Sequence, residues 1–113
     1  FDLHVAAIKE GSLADGTRQA VVVIACDFPV GGTAAAYLFD ERTSTAVLLK
    51  QVATANWGAD WGAGPDSIHI RFTNRFLYVD ACKDTDCTLS VVTTYALRGG
   101  KLVQVFVQTH KAP

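Results

Sequence analysis

The chain has no long hydrophobic run, and this absence argues against a membrane-spanning helix. The longest uninterrupted apolar run covers residues 20–26, whereas a helix needs about 20 apolar residues to cross a bilayer. We therefore expect no membrane span.

Charge of either sign is also scarce. The 113 residues include ten Lys and Arg against eleven Asp and Glu, which gives a formal net charge of −1. The basic residues form no run, whereas nucleic-acid-binding domains concentrate Lys and Arg on one face or stripe. The composition therefore predicts no nucleic-acid partner.

Methionine is absent, even from position 1, where the chain begins "FDLH". Such a start is expected when a signal peptide has been removed or when the sequence has been trimmed. Signal-peptide removal would place the protein in the periplasm or outside the cell.

Cysteine is limited to three residues: Cys26, Cys82 and Cys87. A zinc site needs about four ligands, and the three histidines lie far from "CKDTDC" in sequence, so we expect no metal and no cofactor. A disulfide between Cys82 and Cys87 fits better and favours an oxidising, periplasmic or secreted location. Cys26 is then an unpaired, buried residue, although its pairing with Cys82 or Cys87 stays open. The odd cysteine also leaves a disulfide-linked homodimer open.

What the chain does contain is alternation of apolar and polar residues over short segments. Short connections between them require antiparallel neighbours, and the length suits a single domain, residues 1–113. We predict an all-β fold, an antiparallel sandwich or small barrel of about eight strands. Three alanines at residues 34–36 leave an α+β fold with one helix between residues 33 and 53 as the alternative. The predicted strands are residues 1–9, 18–28, 33–40, 46–53, 67–72, 75–81, 88–97 and 101–108.

The alternation also predicts which side chains face the core. Ile68, Ile70 and Phe72 fall on one face, opposite His69 and Arg71. In the last strand, the alternating valines of residues 103–107 are expected to point inward. Residues 18–28 are so uniformly apolar that they predict a central strand.

Both tryptophans, Trp57 and Trp61, lie in "ANWGADWGAG", a stretch that otherwise resembles a loop. Burying one tryptophan removes about 150–250 Å² from water, so leaving both exposed is unfavourable. Either the rings close an open end of the sandwich, or at least one is held at the surface for a partner. Trp57, Asp60 and Trp61 are therefore candidate partner-binding residues.

The acidic loop "DACKDTDC" supplies two further candidates, Asp84 and Asp86. The loop lacks the glycine and the final glutamate of an EF-hand, and its acidic residues are spaced differently. A solvated disulfide turn is therefore favoured over an ion site. Its negative charge suits a basic partner, since complementary charge accelerates association. The predicted contact loops are residues 56–64 and 80–87, followed by residues 28–33.

No catalytic motif is present: the chain has no nucleophile elbow, no zinc-protease helix and no phosphate-binding loop. We therefore expect a protein that is not an enzyme. The enzyme alternative would use His69, Arg71 and Asp80 as acid–base residues, provided that the fold brings them into one pocket.

Residues 31–37, "GGTAAAY", resemble the Ser-Gly…Ala-Lys-Tyr signature of the membrane-bound inhibitors of c-type lysozyme, which are small bacterial cell-envelope proteins. Gly32, Ala35 and Tyr37 match it. Gly31 and Ala36 replace the Ser and Lys that this family inserts into the lysozyme cleft. The resemblance implies an all-β inhibitor or immunity protein with Tyr37 at the partner interface.

These observations predict a periplasmic or secreted binding protein that blocks a cell-wall (peptidoglycan) hydrolase through its loops. A rigid β scaffold suits this role because little conformational entropy is lost on binding. The alternative is a carbohydrate- or peptidoglycan-binding module in which Trp57 and Trp61 stack on sugars.

Overall fold

The computed structural model describes residues 2–58, 67–84 and 87–111. They form two four-stranded antiparallel sheets, with strand orders β1-β2-β3-β4 and β5-β6-β7-β8. The sheets are not closed into a barrel, so the predicted antiparallel sandwich is confirmed. The strands are β1 Asp2–Gly11, β2 Arg18–Phe28, β3 Gly31–Glu41, β4 Ala46–Trp57, β5 Ile68–Thr73, β6 Phe76–Cys82, β7 Leu89–Arg98 and β8 Lys101–Lys111.

The helical alternative is wrong, because the described residues contain no α-helix and residues 33–53 contribute to two strands. The alanines of β3 pair with both neighbouring strands: Ala34 lies opposite Ala25 of β2 and opposite Ala55 of β4. Small side chains at these positions let the two sheets approach closely. Tertiary pairing therefore overrides the helical propensity of alanine.

Two-residue turns join β2 to β3, β5 to β6 and β7 to β8, as the antiparallel prediction required. Gly99 and Gly100 have φ of 59° and 78° and connect β7 to β8. The β5–β6 turn lies at Asn74 and Arg75, with φ of 52° and 69°, one residue later than the predicted Thr73–Asn74 turn. Both positive φ values match the type I′ hairpin geometry that continues strand twist.

The core lies between the sheets and takes alternate residues from each inner strand. Val21 and Val23 of β2 and Leu38 of β3 face Leu77 and Val79 of β6, and all five are essentially inaccessible. Gln19 is also fully buried: its side-chain oxygen accepts a hydrogen bond from Leu13 N (2.6 Å), and its amide donates to Asp40 Oδ1 (3.0 Å). Buried polar groups that are satisfied in this way cost little.

Two predicted faces are corrected. The valines of β8 were expected inside, but Val105 and Val107 are exposed. Val105 falls in the register shift between Thr94 and Tyr95, and Val107, opposite Thr93, lies on the edge strand of the sheet. Cys26 is free but half-buried rather than buried. It lies on the side of β2 that faces away from the second sheet, opposite Leu3 and Thr33 of the flanking strands.

A disulfide joins Cys82 to Cys87, as predicted, and ties the end of β6 to the start of β7. Cys87 has a positive φ of 57°, and its amide donates to the Asp84 carbonyl (3.2 Å). Closing a loop of this length stabilises the fold by about 2 kcal/mol in the chain-entropy model.

Candidate functional site

The hairpin between β2 and β3 projects three apolar residues into solvent. Phe28, Pro29 and Val30 are all exposed, and Val30 is 77% exposed. Pro29 fixes φ at the first turn position, and Gly31 closes the turn with φ of 93°. We call Phe28, Pro29 and Val30 the hairpin tip.

Trp57 supports the base of this hairpin from inside. It is 9% exposed, belongs to the core, and pairs with Gly32 across the sheet. A Cβ on Gly32 would lie 2.5 Å from Cζ2 of Trp57, and one on Gly31 would collide with the Trp57 carbonyl oxygen. The glycines therefore let the hairpin backbone rest directly on the tryptophan, which holds the hairpin tip in one position.

Acidic side chains flank the hairpin tip. Asp27 precedes Phe28 and pairs with Asp2 of β1. His4 Nδ1 lies 3.3 Å from Asp2 Oδ2 and 3.7 Å from Asp27 Oδ2. Among the described residues, these three are a group whose potential metal-ligand atoms lie within 4.8 Å of one another. All three side chains remain partly open to water, although His4 Nδ1 itself is buried and makes no hydrogen bond to the described residues.

A cleft of about 370 Å³ opens beside the same end of the molecule, between β4 and the β6–β7 pair. Asn56, the neighbour of Trp57, lies on one wall, and Ala81, Lys83 and Asp84 lie on the other. The structure therefore brings together the described parts of two predicted contact loops, residues 56–64 and 80–87.

Within the disulfide loop, Asp84 orders the backbone. Its Oδ1 accepts a hydrogen bond from Leu89 N (3.2 Å), and its Oδ2 accepts one from the Thr88 hydroxyl. The carboxylate thus fixes the loop and at the same time lines the cleft.

The remaining predicted partner-binding residues are dispersed. Tyr37 is half-buried on the opposite side of the first sheet from the core. Asp60, Trp61 and Asp86 lie outside the described residues. Trp57 is in the core, which was one of the two positions that the sequence left open for the tryptophans. A ring in the core has no exposed face on which a sugar can stack.

The three residues of the enzyme alternative do come together. His69, Arg71 and Asp80 line a surface depression of about 230 Å³ on the second sheet, where His69 lies directly opposite Asp80. Arg71 stacks on the Tyr78 ring at 4.7 Å. His69 and Arg71 are exposed and Asp80 is half-buried, so the depression does not provide the water-excluding environment that usually tunes acid–base catalysts.

Sequence reasoning missed one surface, the side of the first sheet that faces away from the second. Here Leu3, Val5 and Ile8 of β1 are exposed, and each lies opposite an apolar residue of β2. We call this side the outer face. The signal was present in the uniformly apolar residues 18–28, which we explained by a central position within the sheet alone.

No protein-family model matches the chain, and no curated protein or solved structure shows significant similarity to it. In the described part of the chain, no helix is long and apolar enough to cross a membrane.

Proposed function

We propose that this protein is an extracytoplasmic inhibitor or immunity protein that blocks a peptidoglycan hydrolase by inserting the hairpin tip into the enzyme's cleft. The observation that carries the proposal is the exposed apolar tip resting on a buried tryptophan. The disulfide supports an oxidising location, periplasmic or secreted.

Rigidity is the physical reason why this hairpin suits inhibition. A flexible loop loses conformational entropy when it enters a cleft, and a preorganised loop avoids most of that loss. Here Pro29 and Gly31 define the turn, while Trp57 blocks movement toward the core. A few residues at the centre of an interface supply most of its binding free energy. Among the described residues, Val30 is the most exposed large apolar side chain, and Phe28 beside it adds an aromatic ring.

The charge at the base of the hairpin tip favours a basic partner. Asp2 and Asp27 lie there, while the adjoining cleft carries one charge of each sign, Asp84 and Lys83. Many cell-wall hydrolases are cationic, so the acidic flank would accelerate encounter in a salt-dependent way.

The proposal is tested by measuring how the purified chain slows the clearing of a peptidoglycan suspension by a panel of hydrolases. The panel contains a c-type lysozyme, an amidase and an endopeptidase. We expect at least one enzyme to be inhibited, and Val30→Lys to weaken that inhibition at least about tenfold because a charge replaces an apolar anchor.

The matched control is Val107→Lys, which changes an exposed valine on β8, in the other sheet. It should inhibit as the native chain does. Full activity of every hydrolase in the presence of excess native chain would contradict the proposal, as would equal inhibition by the Val30→Lys variant.

A further inference from the structure

The outer face of the first sheet is apolar over β1 and β2 and largely so over β3, and β4 adds mainly uncharged polar side chains to it. The strand register aligns rows across it, such as Val5–Ile24–Ala35–Thr54 and Ile8–Val22–Tyr37–Gln51. Large apolar side chains remain in water there: Leu3 is 66% exposed, Val5 56%, Ile8 59% and Leu48 54%. Contiguous exposed apolar surface of this kind marks interaction sites in proteins.

The outer face has both a ridge and a depression. Leu3, Val5 and Ile8 form the ridge along β1. The depression, of about 320 Å³, is bounded on the β1 side by Leu3 of the ridge and is otherwise lined mainly by small side chains, among them Cys26, Ala35 and Thr54. It forms where the sheet carries small residues and where β4 bulges beside Ala36 and Leu38.

The area of the outer face matches what a stable interface needs. Four strands about 4.8 Å apart and some seven residues at about 3.3 Å each cover about 19 by 23 Å. The projected area is therefore about 440 Å², and side chains standing above it bring the accessible area to about the 500 Å² per partner that a specific interface needs at least.

Charge is confined to one end of the outer face. Arg18 Nε lies 3.0 Å from Glu10 Oε2 and 3.2 Å from Glu41 Oε2, and these residues adjoin Ala20 and Phe39. The positions from the Leu3 row to the Ile8 row carry no charged side chain. A partner selected by charge would find nothing to pair with there, whereas an identical uncharged face buries no unpaired ion.

We propose that a second copy of this chain covers the outer face, with the β1 ridge of each copy seated in the depression of the other. A two-fold dimer requires the same patch on both subunits, each part contacting its complement, and a ridge and a depression on one face satisfy that requirement. Phe28 of the hairpin tip continues the same side of β2 beyond Cys26, whereas Val30 lies in the turn. Inhibition and dimerisation are therefore tested by substitutions at different residues.

The proposal is tested by sedimentation equilibrium of the native chain and three variants. Val5→Lys places a charge on the ridge, and Thr54→Glu places one in the depression. Both residues are exposed, so both variants should keep the native circular dichroism spectrum and melting temperature. Val30→Lys, on the hairpin tip, is the matched control.

We expect the native chain and Val30→Lys to sediment as dimers. Val5→Lys and Thr54→Glu should each raise the dimer dissociation constant at least about 100-fold, because each charge would be buried without a partner. A native chain that stays monomeric at high micromolar concentration would overturn the proposal and assign the face to a different protein. A dimer that survives either charge substitution would also overturn it.

The Cys26 thiol provides an independent readout, because it lines the depression and is the one cysteine outside the disulfide. Its reaction with a maleimide should slow as the native protein is concentrated, and it should be independent of concentration in Val5→Lys. A rate that does not respond to concentration in the native chain would contradict burial of the depression.

Discussion

The two sheets have the same connectivity, four consecutive antiparallel strands each, yet their outer faces differ. The second sheet follows ordinary alternation: His69 lies opposite Asp80, and Arg71 stacks on Tyr78, all on the side away from the core. The first sheet places Leu3, Val5 and Ile24 on the equivalent side. Since both inner faces are apolar and both enclose the same core, the core cannot explain the difference.

The comparison shows that alternation is a property of a sheet face in permanent contact with water. A sheet that is apolar on both faces resembles the buried sheets of α/β proteins, whose strands are covered on each side. In the first sheet only the inner side is covered by other described residues. The outer face therefore points to an interaction. Substitutions in the two sheets, and on the two faces of the first sheet, should change the stability of the protein by different amounts.

The largest effect is expected from Trp57→Ala in the first sheet. Removing a core tryptophan should lower the free energy of unfolding by about 3–5 kcal/mol, because the hairpin base and the surrounding core lose their contact. The matched change in the second sheet is Phe106→Ala, an exposed aromatic of β8, which should cost less than about 1 kcal/mol. Urea unfolding measures both, and equal losses would refute the assignment of Trp57 to the core.

An intermediate loss of stability is expected when the same substitution is made on the inner face of the first sheet rather than on its outer face. Val23→Thr puts a hydroxyl into the core at a position that is 1% exposed, and it should cost about 1–3 kcal/mol. Val5→Thr makes the same change on the outer face and should alter the stability of the monomer by no more than about 0.5 kcal/mol. The measurement is chemical unfolding at low protein concentration, where the monomer predominates. A large loss in Val5→Thr would mean that β1 buries its ridge within one chain.

The smallest effect concerns Tyr95, which β7 of the second sheet contributes to the core. Burial raises the pKa of Tyr95 above its ordinary value of 10.0, since the charged phenolate is disfavoured there. The folded state then holds its proton more tightly than the unfolded state. The associated stability is complete below about pH 10 and is lost as pH rises through the folded pKa.

Tyr95→Phe should therefore lose less stability than the native chain between pH 9 and 11, as measured by thermal unfolding at a series of pH values. Tyr78→Phe, on the outer side of the second sheet, is the control and should keep the native pH profile. Identical profiles for the native chain and Tyr95→Phe would show that the Tyr95 phenol does not contribute to alkaline unfolding.

Local patterns predicted the strands well, because period-two alternation and glycine-containing turns depend on neighbouring residues. The disulfide followed from the spacing of Cys82 and Cys87 and the absence of further metal ligands. The expected burial of the β8 valines was wrong, because their exposure depends on the edge position of β8 and on a register shift, and both are set by pairing with another strand. The clustering of His69, Arg71 and Asp80 also depended on the pairing of β5 with β6.

The hairpin tip was only partly predictable. Residues 28–33 were expected to be a contact loop, but no local pattern connects them with Trp57, which lies more than twenty residues further along the chain. That connection arises because β3 and β4 pair antiparallel and bring Gly32 against the ring. The glycines made the contact sterically allowed, and the pairing made it occur.

The sequence alone determined the strands, most of the turns and the disulfide, because backbone sterics and short-range alternation encode them within a few residues. The tertiary structure decided which apolar residues enter the core and which stay in water. An apolar side chain is indifferent to which of two surfaces covers it, so burial is settled only when the sheets stack. Among the described residues, the inner face of the first sheet is buried in the core, and its outer face stays exposed to water.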